Sequence, residues 1–241
     1  MKISAYQRQG TMPGKVEMED RIVLGKNVLS SGYHLSDEVD VGIFAVFDGV
    51  GGLKGSAFAS ALAAKTLSDA SLPMTTDGIR STLSEIHSDL ISYSTTATTA
   101  TGLVWNDREG VLMFHIGNTR ISGLCDGYIR SFTEDQTKYT MMQKSGVFED
   151  DIPESGKTTL LACLGAQEKL IEPLIVTDIT SDLCRCSKIL ITSDGIHDAV
   201  SIDELESFLQ GEVSLKSLEK LAFAAVRAGS QDDLSILVIE R

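Results

Sequence analysis

The chain has 241 residues and a formal net charge of −13, from 34 Asp and Glu against 21 Lys and Arg. That balance argues against affinity for nucleic acid or an anionic membrane surface, both of which call for basic patches. An apolar fraction of 42% and a charged fraction of 23% are ordinary for a globular protein with a sizeable core.

Residues 1–10 carry neither an apolar h-region nor a cleavage-site pattern. No apolar run reaches the roughly 18–20 residues of a membrane span. The four cysteines, Cys125, Cys163, Cys184 and Cys186, lack Cys-x-x-Cys spacing. They are expected as free thiols, and the chain is read as cytoplasmic.

In chain order, Lys2–Gln7 is a short strand, followed by a loop with Gly10, Pro13 and Gly14 that ends at Lys15. Acids at Glu17, Glu19 and Asp20 lead into an apolar strand, Arg21–Leu24, and residues 25–40 read as a polar loop or a poorly formed hairpin. Ile43–Phe47 is a buried strand ending on Asp48, with glycines at 49, 51 and 52. A carboxylate at a rigid strand tip, beside backbone free to bend closely, suits a cation with oxygen ligands. Leu53–Ser71 is an alanine-rich helix. Thr76–Tyr93 is amphipathic, with Ile79, Leu83, Ile86, Leu90 and Tyr93 on one face. Thr76 and Asp77 stand where its N-cap would be, and His87 falls off the stripe, on the surface.

Two hairpins follow, Gly102–Trp105 with Val111–Ile116 and Ile121–Leu124 with Tyr128–Phe132 around Asp126-Gly127. Residues 133–158 are polar and broken by Gly146, Pro153 and Gly156, a surface loop or a flap beside a site. Leu160–Leu164 and Leu174–Thr177 are candidate strands. Lys188–Ser193 is a second core strand, again ending in Asp-Gly at Asp194 and Gly195. A capping box at Ser201–Glu204 opens a helix to Leu209, and Ser214–Arg227 forms another. Asp232 precedes a last strand, Leu234–Glu240. No linker is long enough to split the chain, so residues 1–241 are expected to form one domain.

These elements fit an α+β fold of two stacked antiparallel sheets covered by helices. Its sheet edge would gather Asp48, Asp194 and Asp232 with Glu19 and Asp20. Clustered carboxylates raise one another's pKa, and divalent cations relieve the repulsion. Oxygen-only donors favour Mg²⁺ or Mn²⁺ over zinc. Two such ions about 4 Å apart can polarise a phosphoryl group and make a hydroxide nucleophile.

Seven short segments stand in a telling order: 16–20 (VEMED), 44–52 (FAVFDGVGG), 117–120 (GNTR), 132–135 (FTED), 164–165 (LG), 191–198 (ITSDGIHD) and 229–233 (GSQDD). Together they resemble the metal-dependent protein phosphatases of the PP2C or PPM family over almost the full length. The resemblance implies a four-layer α-β-β-α sandwich and a serine/threonine phosphoprotein phosphatase with two Mn²⁺ or Mg²⁺ ions. Asp48 would bridge both ions and the Gly49 carbonyl would bind one, while Asp194 and Asp232 would ligate the other. Glu19 and Asp20 would hold metal-bound waters. The catalytic acids are thus Asp48, Asp194 and Asp232, and a metal-activated water would attack phosphorus in line. Lys15 would bind the phosphate where many relatives use arginine, as a point charge without the bidentate fork. The implied partners are phosphorylated proteins and a cognate serine/threonine kinase, in signalling, with no nucleic acid and no membrane.

The chain departs from the family in places. Val50 replaces a histidine proposed as general acid in many relatives. Asn118 replaces an aspartate that helps bind a third, weaker ion, so that ion is not expected here. Asp233 stands where asparagine is usual, and His197 reads as a packing residue at a helix start. A haloacid-dehalogenase-type phosphatase would need a second aspartate at position 50. The remaining alternative is a catalytically weak, PP2C-like regulatory module that binds a phosphoprotein or a partner protein.

Overall fold

The computed structural model describes residues 1–36, 39–71 and 75–241. The chain opens with strands β1 (Lys2–Arg8), β2 (Arg21–Leu24), β3 (Asn27–Leu29), β4 (Gly32–Ser36) and β5 (Val41–Phe47), then helices α1 (Ser56–Asp69) and α2 (Thr76–Ser92). Strands β6 (Ala97–Thr98), β7 (Ala100–Asn106), β8 (Gly110–Ile116), β9 (Arg120–Cys125) and β10 (Tyr128–Ser131) follow. Next come α3 (Lys138–Lys144), a 3-10 turn at Glu149–Asp151, α4 (Ser155–Thr158), β11 (Leu164–Gly165) and β12 (Ile175–Asp178). The chain closes with α5 (Thr180–Leu183), β13 (Cys186–Thr192), α6 (Asp194–His197), α7 (Ile202–Gln210), α8 (Leu215–Arg227) and β14 (Leu234–Glu240).

Two antiparallel sheets run β10-β9-β13-β14-β1-β4 and β12-β8-β7-β5-β2-β3, and β11 pairs with β6 apart from them. Side chains alternate across a strand, so each central strand serves two cores. On β5, Phe44 and Val46 point into the space between the sheets, while Ile43, Ala45 and Phe47 meet Ala59, Leu67, Ile79, Leu83 and Leu90 of α1 and α2. On β14, Leu237 and Ile239 face between the sheets, and Leu234, Ile236 and Val238 meet Leu205, Leu218 and Ala222 of α7 and α8. Burial on both faces explains why these strands read as unbroken apolar runs. The layering is the expected α-β-β-α sandwich. Among the described residues no helix is long and apolar enough to cross a membrane.

The capping box of α7 is present, with Ser201 Oγ accepting from the Glu204 N–H. The cap of α2 lies one residue earlier than expected, because Thr75 Oγ1 accepts from the Gly78 N–H at 3.1 Å. Residues 25–40 do not form one hairpin. β3 pairs with β2 in one sheet and β4 with β1 in the other, and both are largely exposed edge strands without an apolar pattern. Residues 133–158 are more regular than a loop: α3, the 3-10 turn and α4 fold back over buried Gln136, Thr137 and Ile152. Of the expected strand Leu160–Leu164, Leu164 pairs opposite β6 together with Gly165, and Leu160 makes an isolated bridge to Thr137. His87 is not a plain surface residue, since its Nδ1 accepts from the Gly165 N–H at 3.1 Å.

The thiol expectation fails for two cysteines. Cys125 on β9 and Cys186 on β13 face each other in the strand register and form a disulfide across 61 residues of sequence. Cys163 and Cys184 are free, the first buried and the second exposed.

Candidate active site

The acids meet where the two sheets end. Asp48 follows the last residue of β5, and its backbone is clamped by threonines. Thr99 Oγ1 accepts from the Asp48 N–H at 3.0 Å, and the Asp48 carbonyl accepts from the Thr99 N–H at 2.8 Å and from Thr98 Oγ1 at 2.9 Å. Gly49 then passes between Glu19 and Ser56. A Cβ there would stand 2.6 Å from the Ser56 carbonyl oxygen and 2.9 Å from that of Glu19, so only glycine fits. Asp194 opens α6 from the end of β13, and its Oδ2 accepts from Asn118 Nδ2 at 2.9 Å. At Gly195 a Cβ would lie 2.2 Å from the Asp233 carbonyl oxygen. The first packs the end of β5 against Glu19 and the start of α1, and the second packs the end of β13 against the loop before β14.

Asp20 is 1% exposed, and its Oδ2 accepts from Ser235 Oγ at 2.7 Å, which in turn accepts from Gln7 Nε2 at 2.8 Å. Asp233 anchors the N-terminal loop, accepting from the Gly10 N–H at 2.8 Å and the Glu19 N–H at 2.6 Å. Glu19 accepts from Ser56 Oγ through its Oε1. Lys15 Nζ ion-pairs with Asp232 Oδ1 at 2.9 Å and with Glu19 Oε2 and Asp233 Oδ2 at 3.0 Å each.

Burial and mutual repulsion set the electrostatics. Burial first, then the charge of Asp233, pushes Asp20 up to about 7. Burial, then Asp232, pushes Asp194 up to about 6. Asp48 is raised well above the usual carboxylate range by burial and then by Asp20, Asp194 and Asp232. For Lys15, burial works to lower the pKa, but the hydrogen bond and charge of Asp232, with Asp233 and Glu19, outweigh it and raise it.

The structure therefore brings together all the residues singled out from sequence: Lys15, Glu19, Asp20, Asp48, Gly49, Asp194 and Asp232. Among the described residues no three His, Cys, Asp or Glu side chains stand in a metal-holding arrangement. The donor set itself fits a hard divalent ion. It is all oxygen, and burial together with the charges of neighbouring acids raises the pKa of Asp20, Asp48 and Asp194.

Asp194 and Asp232 line an open cleft of about 340 Å³, whose rim includes Met12 and Thr158. Thr158 and Asp198 also line a neighbouring cleft of about 440 Å³ with Arg120, Tyr139, Lys157 and His197. Residues 133–158 thus flank the acids. Arg120 is engaged by both oxygens of Asp135, at 2.8 and 2.6 Å. His197 is buried, with Nδ1 2.8 Å from Thr192 Oγ1, and burial holds its pKa well below the usual value. Val50 donates its N–H to the Ala97 carbonyl and offers no proton donor in its side chain.

Sequence reasoning missed the hydroxyl and amide tethers: Thr98, Thr99, Ser235, Gln7, and the holding role of Asn118 and Asp233. The threonine-dense run at 95–101 was the visible signal for the first two.

No protein-family model matches the sequence. The serine/threonine phosphatase stp of Listeria monocytogenes is 26% identical over 218 residues, covering 83% of this chain and 84% of that protein. The crystal structure of serine/threonine phosphatase Stp1 from Staphylococcus aureus has a TM-score of 0.79 at 17% identity, covering 99% of this chain and 94% of that one. The PPM Ser-Thr phosphatase MsPP from Mycobacterium smegmatis, solved with cacodylate, has a TM-score of 0.75 at 21% identity, covering 99% and 97%. In sequence this chain is similar to bacterial serine/threonine phosphatases, and its fold is that of the PPM/PP2C phosphatases.

Proposed function

We propose that this chain is a metal-dependent phosphoprotein phosphatase acting on phosphoserine and phosphothreonine. One observation carries the reading: buried Asp48 and Asp194, from the ends of strands in different sheets, meet buried Asp20 and the half-exposed Asp232 in one self-repelling acid cluster beside an open cleft. Asp48, the Gly49 carbonyl, Asp194 and Asp232, with Glu19 and Asp20 around them, would hold two Mn²⁺ or Mg²⁺ ions. When bound, such ions supply Lewis acidity toward the phosphoryl group and an activated water.

The chain's own residues do the positioning. Thr98 and Thr99 fix where the Asp48 carboxylate starts from, and Asn118 turns that of Asp194. Lys15 supplies the positive charge that stands against the acids and, in our reading, toward the phosphate. Arg120 is held by Asp135, with Asp198 at 3.6 Å beyond it. The partners in this proposal are phosphorylated proteins and a cognate kinase, in the cytoplasm. Lys15 held among three acids also favours a second reading, a catalytically weak regulatory module that binds a phosphoprotein or a partner protein.

The test is hydrolysis of p-nitrophenyl phosphate and a phosphothreonine peptide, with Mn²⁺ and with a chelator, beside Asp48→Asn. Mn²⁺-dependent turnover of both, abolished by Asp48→Asn, is the expected result. Turnover of the aryl ester alone would trace the defect to the absent proton donor at Val50. Binding of the peptide with no turnover of either substrate would favour the second reading.

A further inference from the structure

The carboxylate cluster is already in contact with a cation, and that cation belongs to the chain. Met12-Pro13-Gly14-Lys15 makes a tight turn, with Gly14 at φ 87° and the Lys15 N–H donating to the Met12 carbonyl at 3.0 Å. Proline followed by a glycine at positive φ favours such a turn, and this one aims Lys15 inward. Its side chain is 6% exposed, and its ammonium lies 2.9–3.0 Å from Asp232, Glu19 and Asp233. The nearby arginines are committed elsewhere. Arg21 donates to the carbonyls of Met18 and Asp20, and Arg120 to Asp135.

We propose that Lys15 is a resident counter-cation of this site, which a divalent ion must displace, so that this one side chain sets the metal affinity. The inference rests on the metal-binding reading given above. Asp232 Oδ1 and Glu19 Oε2 are the oxygens facing Nζ. They cannot turn to a divalent ion while an ammonium sits at hydrogen-bond distance, because the two cations would then be neighbours. A lysine suits the exchange: it is a compact point charge on a flexible four-carbon stem, able to leave the acids without moving the backbone. The apparent affinity of the ion is the intrinsic affinity multiplied by the fraction of molecules in which Lys15 has left the acids. The turn of residues 12–15 also forms part of the cleft rim through Met12, so the released ammonium stays beside the cleft.

Two effects of opposite sign follow for Lys15→Met. With a chelator present, Glu19, Asp232 and Asp233 lose their partner and the thermal midpoint falls by about 4 °C. With Mn²⁺ titrated by calorimetry, the dissociation constant tightens by about tenfold, within the usual range of coupling between two sites. Lys15→Gln keeps a hydrogen-bond donor without charge, on a side chain one atom shorter; it should tighten Mn²⁺ binding as well, and it serves if the methionine variant does not fold. Unchanged or weaker Mn²⁺ binding in the folded variants, whatever the chelated midpoint does, overturns the inference while leaving the metal site standing. Absence of Mn²⁺ uptake by the unsubstituted protein would remove both the inference and the metal-dependent reading.

Discussion

The two Asp-Gly strand ends look alike in sequence and are held in different ways. At Asp48 the tether is on the backbone: Thr98 and Thr99 pin its N–H and carbonyl, and the side chain is left to its neighbours. At Asp194 the carboxylate is held directly, by Asn118 Nδ2 at 2.9 Å, while the backbone turns at once into α6. Burial, then Asp20, Asp194 and Asp232, raise Asp48 well above its usual range, whereas at Asp194, raised by burial and then Asp232, the Asn118 hydrogen bond works the other way. Equal motifs thus give unequal carboxylates. What surrounds the strand end, not the strand end itself, sets the chemistry.

The largest expected effect removes the charge from the less supported acid. Asp48→Asn should cut Mn²⁺-dependent turnover by about 1,000-fold, as expected when several kcal/mol of charge stabilisation is lost. Circular dichroism should show the fold intact; turnover within tenfold of the unsubstituted protein would show that Asp48 is not central. Gly195→Ala tests the close approach on the other strand end. A methyl 2.2 Å from the Asp233 carbonyl must push α6 from the loop before β14, at a cost of about 3 kcal/mol in urea unfolding. A midpoint equal to that of the unsubstituted protein would mean the loops yield freely.

Two smaller substitutions separate backbone tethering from side-chain tethering. Asn118→Ala should weaken Mn²⁺ binding by about tenfold with little change in stability, the usual consequence of losing a ligand's outer partner. Thr99→Val should instead cost about 1.5 kcal/mol in stability, because it leaves the buried Asp48 N–H unpaired. If calorimetry and unfolding gave the same pattern for both, the contrast between the two strand ends would collapse.

The smallest effect is a pH dependence at His115. His115 on β8 is fully buried, with Nε2 2.9 Å from the Glu134 carbonyl and Nδ1 2.9 Å from Thr101 Oγ1. A carbonyl only accepts, so Nε2 carries the proton and Nδ1 accepts from the threonine hydroxyl. Burial lowers the His115 pKa below 6.5. The unfolded chain therefore takes up a proton before the folded one does. The stability from neutral His115 is present above pH 6.5 and is lost as pH falls below it, by up to about 1.4 kcal/mol per pH unit. The raised carboxyls act in the opposite sense, so the quantity to measure is the difference in urea midpoint between the protein and His115→Gln from pH 7 to 5. That difference should shrink toward acid; a constant difference would mean that His115 is protonated alike in both states.

Much of this was legible in the chain because the signals are local. Strands buried on both faces, β5, β13 and β14, announce themselves as apolar runs, and the acids at their tips follow directly. The stripe of α2 and the capping box of α7 lie within a few residues of sequence. Edge strands β3 and β4 bury too little to leave a pattern, and the short helices of residues 133–158 are too brief and polar to show periodicity.

By itself the sequence determined the layered sandwich and the set of carboxylates at its end, since hydrophobic period and strand-tip identity are written in neighbouring residues. Tertiary structure decided how those carboxylates are used. Lys15 meets Asp232 across 217 residues, Ser235 meets Asp20 across 215, Asn118 meets Asp194 across 76, and Cys125 finds Cys186 across 61. Such pairings depend on which strand ends the folded sheets bring side by side. A hydrogen bond or an ion pair between remote residues leaves no periodicity to read, because its geometry exists only after the apolar cores have packed.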